Sequence, residues 1–475
     1  MLFTSAIFLF IFLPTVLAGY FVLPQKYRNT YLLISSIVFY AWGEKKMVLI
    51  MLITTVIDFY CAIMIENGRR KAGLSIAIVY NVGLLFYFKY LNFAFSNVVD
   101  LLALFGIEDI KGLRKIIMPL GISFLTFHSL SYVIDVYRRE IKATRNIINF
   151  GTYIFLFPHL IAGPIVRYIH IEKELINRII TEDKFVEGIK RFIIGLAKKM
   201  IIANNCAYLA DNILALPQNS ISTPLIWLAM IAYTFQIFYD FSGYSDMAIG
   251  LGKMVGFDFK ENFNYPYIST SIQEFWRRWH ISLSTWFRDY LYIPLGGSRV
   301  SERKIYFNLF IVFLVTGFWH GASWSFMVWG MFHGLFIVLE RIGLKNWLDK
   351  AWKPIPHLYT IGVVFIGWVF FRANTLDEAF FYLGKLVSFT AYPTDGAVLG
   401  MIVSKEIIIA LFLGLLISMP TFGWAKNKSL ILLAGKERIQ LFARCLYVVA
   451  LAILFIVSCS LIAVNSYNPF IYFRF

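Results

Sequence analysis

Long apolar runs joined by short polar segments make up most of the chain. Hydrophobic residues account for 59% of the 475 positions and charged residues for 15%. A helix that crosses a bilayer needs about 20 apolar residues, so the chain has room for about 11–13 transmembrane or re-entrant helices. No alternating strand pattern recurs, and backbone groups in lipid must be hydrogen-bonded internally. The pattern predicts an all-α polytopic membrane protein.

Two charged residues interrupt the N-terminal apolar blocks. Asp58 lies in the block near residues 47–66, and Lys89 lies in the block near residues 72–95. Charge at membrane depth is costly unless it is paired or reaches the interface. Each residue is therefore predicted to be an interhelical partner or a snorkelling side chain rather than a catalyst. The polar segment from Glu108 to Lys115 is expected to lie along the membrane interface.

The basic excess is distributed in a way that is typical of membrane proteins. The chain has 44 Lys and Arg against 28 Asp and Glu, a net charge of +16, and most of this charge lies in short loops between apolar spans. Such loops favour the cytoplasmic side and attract anionic lipid headgroups. Membrane lipids are therefore expected partners, and nucleic acid is not. The four cysteines are scattered, which predicts neither a zinc site nor a disulfide framework.

Residues 148–200 do not read as ordinary spans. Pro158 and Pro164 predict a kinked or re-entrant element at 148–166 that faces protein. Residues 167–199 are strongly basic, with an apolar stripe that predicts an amphipathic helix at the cytoplasmic surface; the alternative is an ordinary span with snorkelled lysines. The apolar face of that helix comprises Phe185, Ile189, Phe192, Leu196 and Met200.

Two carboxylates, Asp240 and Asp246, lie inside the apolar stretch 223–251. A spacing of six positions places them on opposite faces of a helix, so paired acid and base chemistry is not favoured. The Ser-Gly-Tyr-Ser sequence between them predicts a broken helix whose free amides are capped by side chains. The aspartates are expected to be structural, neutralising a nearby arginine.

The strongest candidate for chemistry is His320. From Tyr306 to Leu339 there is no Asp, Glu, Lys or Arg, and the residues that titrate near neutral pH are His320 and His333. An imidazole inside such a block must face protein or a water-lined cavity, which makes it a functional-site candidate. The alternative is a neutral histidine that is hydrogen-bonded between helices as a packing residue.

A second candidate is the motif Phe275-Trp276-Arg277-Arg278-Trp279-His280. Guanidinium groups stack on indole faces and bind anions in a forked geometry. An aromatic belt at the headgroups would explain the tryptophans but not the interleaved cations. Glycines and Pro294 further along favour a dip into the membrane rather than a crossing.

Five stretches of the chain resemble the membrane-bound O-acyltransferase (MBOAT) family, in its bacterial alginate O-acetylase branch. They are MPLGISFLTFHSLSYVIDVYR, FPHLIAGPI, YDFSGYSDMAIGLGKMVGFDFKENFNYPY, FWRRWHISLSTWFRDYLYIPLGG and GFWHGASWSFMVWGMFHG. The resemblance implies a funnel-shaped ring of helices and a buried catalytic histidine at His320, with His280 at the second signature position. It assigns no role to His333. Residues 1–475 would form one membrane domain, with N-terminal spans at 1–117, a catalytic core at 118–340 and C-terminal scaffold spans at 341–475, joined in part by the loop from Lys426 to Arg438.

The resemblance also implies an activity. Members of this branch move acetyl groups from a cytoplasmic donor toward a polysaccharide outside the bacterial cell membrane, usually with an extracytoplasmic acetyltransferase partner. The donor would be acetyl-CoA or an acylated carrier, with no bound cofactor or metal. Other family members D-alanylate teichoic acids, which is the second enzymatic candidate. A transporter of polysaccharide or lipid-linked sugar, or a non-catalytic scaffold, is the alternative outside enzymology.

The residues then suggest a mechanism. Burial disfavours a charged imidazolium, so His320 is expected to be neutral at pH 7 and to act as general base. His280 is expected to orient the donor or to help the developing oxyanion. The substrate-binding candidates, which would hold the polar arm of the donor, are Trp276, Arg277, Arg278, Trp279 and Trp319.

Overall fold

The computed structural model describes residues 1–107, 112, 116–421, 423, 428, 436–464 and 467–471. Its regular structure there is helical, with no strand in these ranges. The helices of the first part of the chain are α1 (Phe8–Val22), α2 (Arg28–Ala41), α3 (Val48–Glu66), α4 (Arg70–Ala103), α5 (Ile122–Arg138), α6 (Ile147–Phe155), α7 (Phe157–Leu160) and α8 (Tyr168–Ile176).

Two long central helices and a series of shorter ones follow. They are α9 (Glu182–Leu214), α10 (Thr223–Met254), α11 (Ile272–Arg278), α12 (Ile281–Phe287), α13 (Glu302–His320), α14 (Trp324–Leu348), α15 (Pro354–Arg372), α16 (Leu376–Val387), α17 (Asp395–Ile402), α18 (Lys405–Ile417) and α19 (Glu437–Val464).

The prediction of an all-α polytopic membrane protein is confirmed. Within the described ranges, seven helices are long and apolar enough to cross a bilayer: α3, α4, α9, α10, α14, α15 and α19. The pair α17 and α18, bent by 86°, would make an eighth span. The other apolar segments are shorter, broken or, like α13, less apolar. The predicted interfacial segment from Glu108 to Lys115 and most of the loop from Lys426 to Arg438 lie outside the described residues.

The predicted break near Pro158 is present. The backbone of Leu156 leaves the helical region, with φ −49° and ψ 110°, and Pro158 follows in the first turn of α7. Residues 150–166 are buried throughout. The broken element therefore faces protein, as predicted, because its interrupted backbone would otherwise meet lipid without hydrogen-bond partners.

Helices α9 and α10 pack backbone against backbone, which corrects one prediction. A Cβ on Gly195 would lie 2.5 Å from the carbonyl oxygen of Gly243, and a Cβ on Gly188 would lie 2.7 Å from that of Gly250. Small residues on one face let two helices approach this closely. The prediction of a broken helix around Asp240 and Asp246 is wrong, because Gly243 serves this contact inside a continuous α10. The residues of the predicted surface helix belong to the longer α9, which is two-thirds buried in its most apolar window, and their position at the membrane surface stays a prediction.

The charges on these helices are paired with one another. Asp246 on α10 accepts hydrogen bonds from Arg191 at 2.8 Å and Lys198 at 2.7 Å, both on α9. Asp240 lies 2.6 Å from Lys199 in a second, more deeply buried ion pair. The two carboxylates thus have separate partners, and the predicted pairing with a nearby arginine is present at Asp246. Asp58 is likewise an interhelical partner, accepting from Asn81 on α4 at 2.8 Å.

Candidate active site

His320 is the last residue of α13, at the tip of the hairpin that α13 forms with α14. The two helices touch through glycines: a Cβ on Gly330 would lie 2.3 Å from the carbonyl oxygen of Phe313 and 3.0 Å from the Cα of Gly317. A Cβ on Gly321 would lie 2.1 Å from the ring of Phe326. The glycine after His320 is therefore required by packing, and the tight hairpin keeps the imidazole inside the fold, with 5% of its surface exposed.

Aromatic rings surround the His320 imidazole. Its ring centroid lies 4.8 Å from that of Trp319, 5.1 Å from that of Trp329 and 5.2 Å from that of Phe371. The contacts are edge-on, with interplanar angles of 69°, 87° and 72°. Edge-to-face arrangements are favoured between aromatic rings, because the positive edge of one ring meets the negative face of the other. The imidazole is thus held rigidly in an apolar enclosure.

His280 approaches the same place from the short connection between α11 and α12. It is fully buried, and its backbone adopts the left-handed conformation, with φ 43° and ψ 55°. Its ring lies 4.6 Å from Phe241 of α10 and 6.4 Å from Trp319. A non-glycine residue in this conformation is strained by about 1–3 kcal/mol, and such strain clusters at functional sites. The indole of Trp319 is therefore the contact shared by the two histidines.

The C-terminal end of α13 is held by two consecutive residues of α4. Lys89 donates a hydrogen bond from Nζ to the backbone carbonyl of Trp319, and its ammonium lies 5.5 Å from the centre of the Trp319 ring. Tyr90 donates from its hydroxyl to the carbonyl of Phe318 at 3.1 Å and stacks on the Phe318 ring at 4.1 Å. The last carbonyls of a helix lack partners within the helix, so these two side chains cap it.

A small cavity of about 20 Å³ adjoins this cap, with Lys89, Ser123 and Trp319 in its wall. That is room for about one water molecule. Lys89 also lies 3.5 Å from the hydroxyl of Ser123. The prediction that Lys89 pairs between helices is confirmed, and the carbonyl that it binds belongs to the residue before His320.

The Trp/Arg motif divides between two environments. The ring of Trp276 lies 5.6 Å from that of Trp329, and the ring of Trp279 lies 4.9 Å from that of Trp368, so both indoles join the aromatic enclosure. Arg277 is exposed. Arg278 donates to Glu274 at 2.9 Å and to the carbonyl of Asn264 at 3.1 Å. The structure brings the two tryptophans toward the histidines and leaves the two arginines away from them.

His333 is buried one turn beyond Trp329 on α14. Its ring lies 5.1 Å from Trp329 and 5.2 Å from Trp276. Neither ring nitrogen has a hydrogen-bond partner among the described residues. On the opposite side the backbone of α15 is so close that a Cβ on Gly367 would lie 2.6 Å from His333 Nε2. Trp329 thus separates His333 from His320, which places His333 behind the site.

Sequence reasoning missed several residues that build this site. Trp329 and Phe371 enclose His320, and Asn262 binds His280, with its Oδ1 3.2 Å from Nδ1. Asn262 lies within a stretch that carried the family resemblance, so its presence was visible but its role was not. Phe371 lies on α15, which the sequence pattern marked as scaffold. Within the described ranges, no three His, Cys, Asp or Glu side chains lie close enough to hold a metal ion.

In this helical bundle, His280 and His320 are both buried, at the connection between α11 and α12 and at the tip of the α13–α14 hairpin. The sequence model of the membrane-bound O-acyltransferase family matches residues 8–376, and the chain belongs to this family. It is therefore a multi-pass membrane O-acyltransferase.

Three relatives show what the chain is similar to. The chain is 39% identical to the probable alginate O-acetylase AlgI of Azotobacter vinelandii over the full length of both proteins. It is 34% identical to the peptidoglycan O-acetyltransferase of Helicobacter pylori, over 82% of this chain and 80% of that one. The teichoic acid D-alanyltransferase of Bacillus subtilis is 30% identical over 54% of this chain and 67% of its own length.

Proposed function

We propose that this O-acyltransferase moves an acetyl group from a cytoplasmic thioester donor toward a cell-surface polysaccharide, and that it resides in a bacterial cytoplasmic membrane. An extracytoplasmic acetyltransferase partner completes the transfer. The observation that carries the proposal is the convergence of His320 and His280 on Trp319, inside the part of the chain that the family shares.

His320 is the general base. Its neutral imidazole takes the proton of a hydroxyl group while that oxygen attacks the thioester carbonyl. The tetrahedral intermediate then collapses, the carbon–sulfur bond breaks, and the imidazolium returns the proton to the departing thiolate. The products are an O-acetyl ester and a free thiol, so the enzyme ends in its starting protonation state. The apolar enclosure supports this role because it excludes competing water.

The donor is acetyl-CoA or an acylated carrier protein. Trp319, in the wall of the small cavity beside Lys89, together with Trp276 and Trp279 of the aromatic enclosure, would contact the thin pantetheine-like arm of the donor. Arg277 and Arg278 lie on the accessible side of the same motif, where cationic side chains suit the phosphate groups of such an arm.

The acceptor is an alginate-like exopolysaccharide or peptidoglycan. The full-length similarity to the alginate O-acetylase and the 82% coverage by the peptidoglycan O-acetyltransferase support an acetyl group over a D-alanyl group. Transfer of a D-alanyl group to teichoic acid remains the second enzymatic candidate. It rests on similarity to the teichoic acid D-alanyltransferase over about half of the chain.

Two measurements test the function. Purified protein in lipid nanodiscs, given acetyl-CoA or acetylated carrier, should release free thiol in the presence of an acceptor, whereas a transporter or scaffold should not. Mass analysis of extracellular polymers from cells with and without the protein should show O-acetyl groups that depend on it. Loss of D-alanyl esters instead would favour the second candidate, and no change in either ester would overturn the proposal.

A further inference from the structure

Asn262 lies at the centre of a buried hydrogen-bond network that holds His280. Its Oδ1 atom is 3.2 Å from His280 Nδ1, 3.2 Å from the backbone nitrogen of Ser282 and 2.8 Å from the Ser282 hydroxyl. Its Nδ2 atom is 3.1 Å from the Ser245 hydroxyl and 3.4 Å from the backbone carbonyl of Gly163. Only 1% of Asn262 is exposed, so these neighbours decide its orientation.

Two backbone groups fix which way the Asn262 amide points. The Ser282 nitrogen is a donor and faces an acceptor, which must be Oδ1. The Gly163 carbonyl is an acceptor and faces a donor, which must be Nδ2. Rotating the amide by 180° would place a donor against the Ser282 N–H and an acceptor against the Gly163 carbonyl, and both would then be unpaired in a buried site. A buried donor or acceptor left without a partner is strongly unfavourable.

The neighbours of the Ser282 hydroxyl also fix the direction of its hydrogen. It accepts a hydrogen bond from the backbone nitrogen of Ile165 at 2.9 Å and donates to Asn262 Oδ1. Its oxygen lies 3.5 Å from His280 Nδ1. Both oxygen atoms near Nδ1 thus present lone pairs to it. A neutral imidazole carries one hydrogen, and the bond made by one nitrogen decides the state of the other. The hydrogen belongs on Nδ1.

Nε2 of His280 is then an acceptor without a hydrogen. It is buried and has no hydrogen-bond partner among the described residues. A bare Nε2 cannot donate to an oxyanion, but it can receive the hydrogen of a hydroxyl group. This excludes oxyanion stabilisation, one of the two roles that the sequence left open for His280, and points to contact with a hydroxyl group.

We propose that Asn262 is a positioning residue that holds His280 as the Nδ1–H tautomer, so that Nε2 receives a hydrogen bond from a substrate hydroxyl. The tautomer follows from the network alone, whereas the substrate contact rests on the proposed function. His280 thereby orients the acceptor through a hydroxyl group that does not react, while His320 removes the proton of the neighbouring hydroxyl group that attacks the thioester. Oxyanion stabilisation belongs to other groups.

The wild-type protein allows a direct test. Full-length protein with ¹⁵N-labelled histidine, in lipid nanodiscs at neutral pH, is compared by solid-state NMR with the variant His280→Gln, and the difference isolates the His280 signals. A protonated Nδ1 with an unprotonated Nε2 is expected. A protonated Nε2, alone or in an imidazolium, would overturn the proposal. Because this measurement needs no turnover, an Nδ1–H tautomer in a protein without acetyl transfer would remove only the proposed function.

Substitutions separate positioning from general stability. Asn262→Ala should lower kcat about tenfold or more with KM for the thioester within about twofold, as the loss of a group that orients a catalytic histidine does. Asn262→Asp keeps an acceptor oxygen toward Nδ1. It should therefore keep the wild-type tautomer of His280 and retain more activity than Asn262→Ala. Asn264→Ala, at an exposed asparagine two positions away, is the matched control. Equal kcat for Asn262→Ala and Asn264→Ala would contradict the proposal, and if Asn262→Ala does not fold, the wild-type spectrum decides.

Discussion

The ammonium of Lys89 donates a hydrogen bond to the backbone carbonyl of Trp319, the residue that immediately precedes His320. Together with the bond from Tyr90 to the carbonyl of Phe318, this contact ties α4 to the end of α13. The segment of α4 that carries both residues, Phe86–Tyr90, forms a π-helical turn. Such a turn shifts the residues that follow it around the helix axis and is frequent at functional sites.

Removing one hydroxyl from this cap should weaken the site without dismantling it. Tyr90→Phe keeps the stacked ring and loses the bond to Phe318, which should lower stability by about 0.5–1.5 kcal/mol. Because the bond lies two residues before His320, kcat should fall more than KM rises. Thermal unfolding in nanodiscs and steady-state acetyl transfer measure the two effects. Tyr87→Phe, on an exposed tyrosine of the same turn, is the control. Unchanged kcat in Tyr90→Phe would mean that the cap does not position His320.

Replacing the proposed base should abolish the reaction and leave the fold. For His320→Ala we expect acetyl transfer to fall by roughly 10²–10⁴-fold, the usual contribution of general base catalysis. His357→Ala, at an exposed histidine, should retain wild-type activity. Membrane insertion is checked by expression level and by size-exclusion behaviour in detergent. If His320→Ala acetylates normally, another group is the base.

The glycine contact between α9 and α10 should not tolerate a methyl group. In Gly195→Ala the new Cβ would lie 2.5 Å from the carbonyl oxygen of Gly243 and 2.7 Å from the backbone nitrogen of Met247. Backbone atoms cannot move aside without disturbing the helix. We therefore expect the free energy of unfolding to fall by about 1–3 kcal/mol. Gly384→Ala is the matched control, because that glycine lies exposed within α16 with no atom near its added Cβ. It should be neutral or stabilising, since alanine favours a helix by about 0.5–1 kcal/mol. Similar melting temperatures for the two variants would refute this account.

Alanine variants of the two arginines in the Trp/Arg motif should both weaken donor binding but should differ in their effect on stability. Arg277→Ala should raise KM for the thioester and leave thermal stability unchanged, because Arg277 is exposed. Arg278→Ala should also weaken donor use, and it additionally breaks the bond to Glu274, a pair of the kind worth about 0.3–0.5 kcal/mol.

Glu274→Gln separates these effects, because it removes the ion pair and keeps the Arg278 charge. A raised KM in Arg278→Ala but not in Glu274→Gln would assign the charge to the donor. An unchanged donor KM in both arginine variants would remove the motif's cations from the site.

Much of the architecture could be predicted from the sequence because the membrane imposes it. Apolar runs near 20 residues must be helices, and a proline pair inside one must break it where protein covers the backbone. The choice of His320 as a candidate followed from the same rule, since an uncovered imidazole has no stable place among lipid-facing side chains. The Ser-Gly-Tyr-Ser sequence led to the wrong prediction of a broken helix for a physical reason. Glycine breaks an isolated helix, yet it also permits close contact between two helices. Which effect applies depends on the neighbouring helix, which the local sequence does not show.

By itself, the sequence determined the helical class, the membrane setting, the family resemblance and the identity of the candidate histidines, because these depend on composition and on residues close together along the chain. The tertiary structure decided which distant residues meet: Lys89 with Trp319, Asn262 with His280, and Trp329 and Phe371 with His320. These pairings depend on how α4, α10, α13, α14 and α15 pack together, and packing between helices far apart in sequence leaves no local pattern of hydrophobic and polar positions.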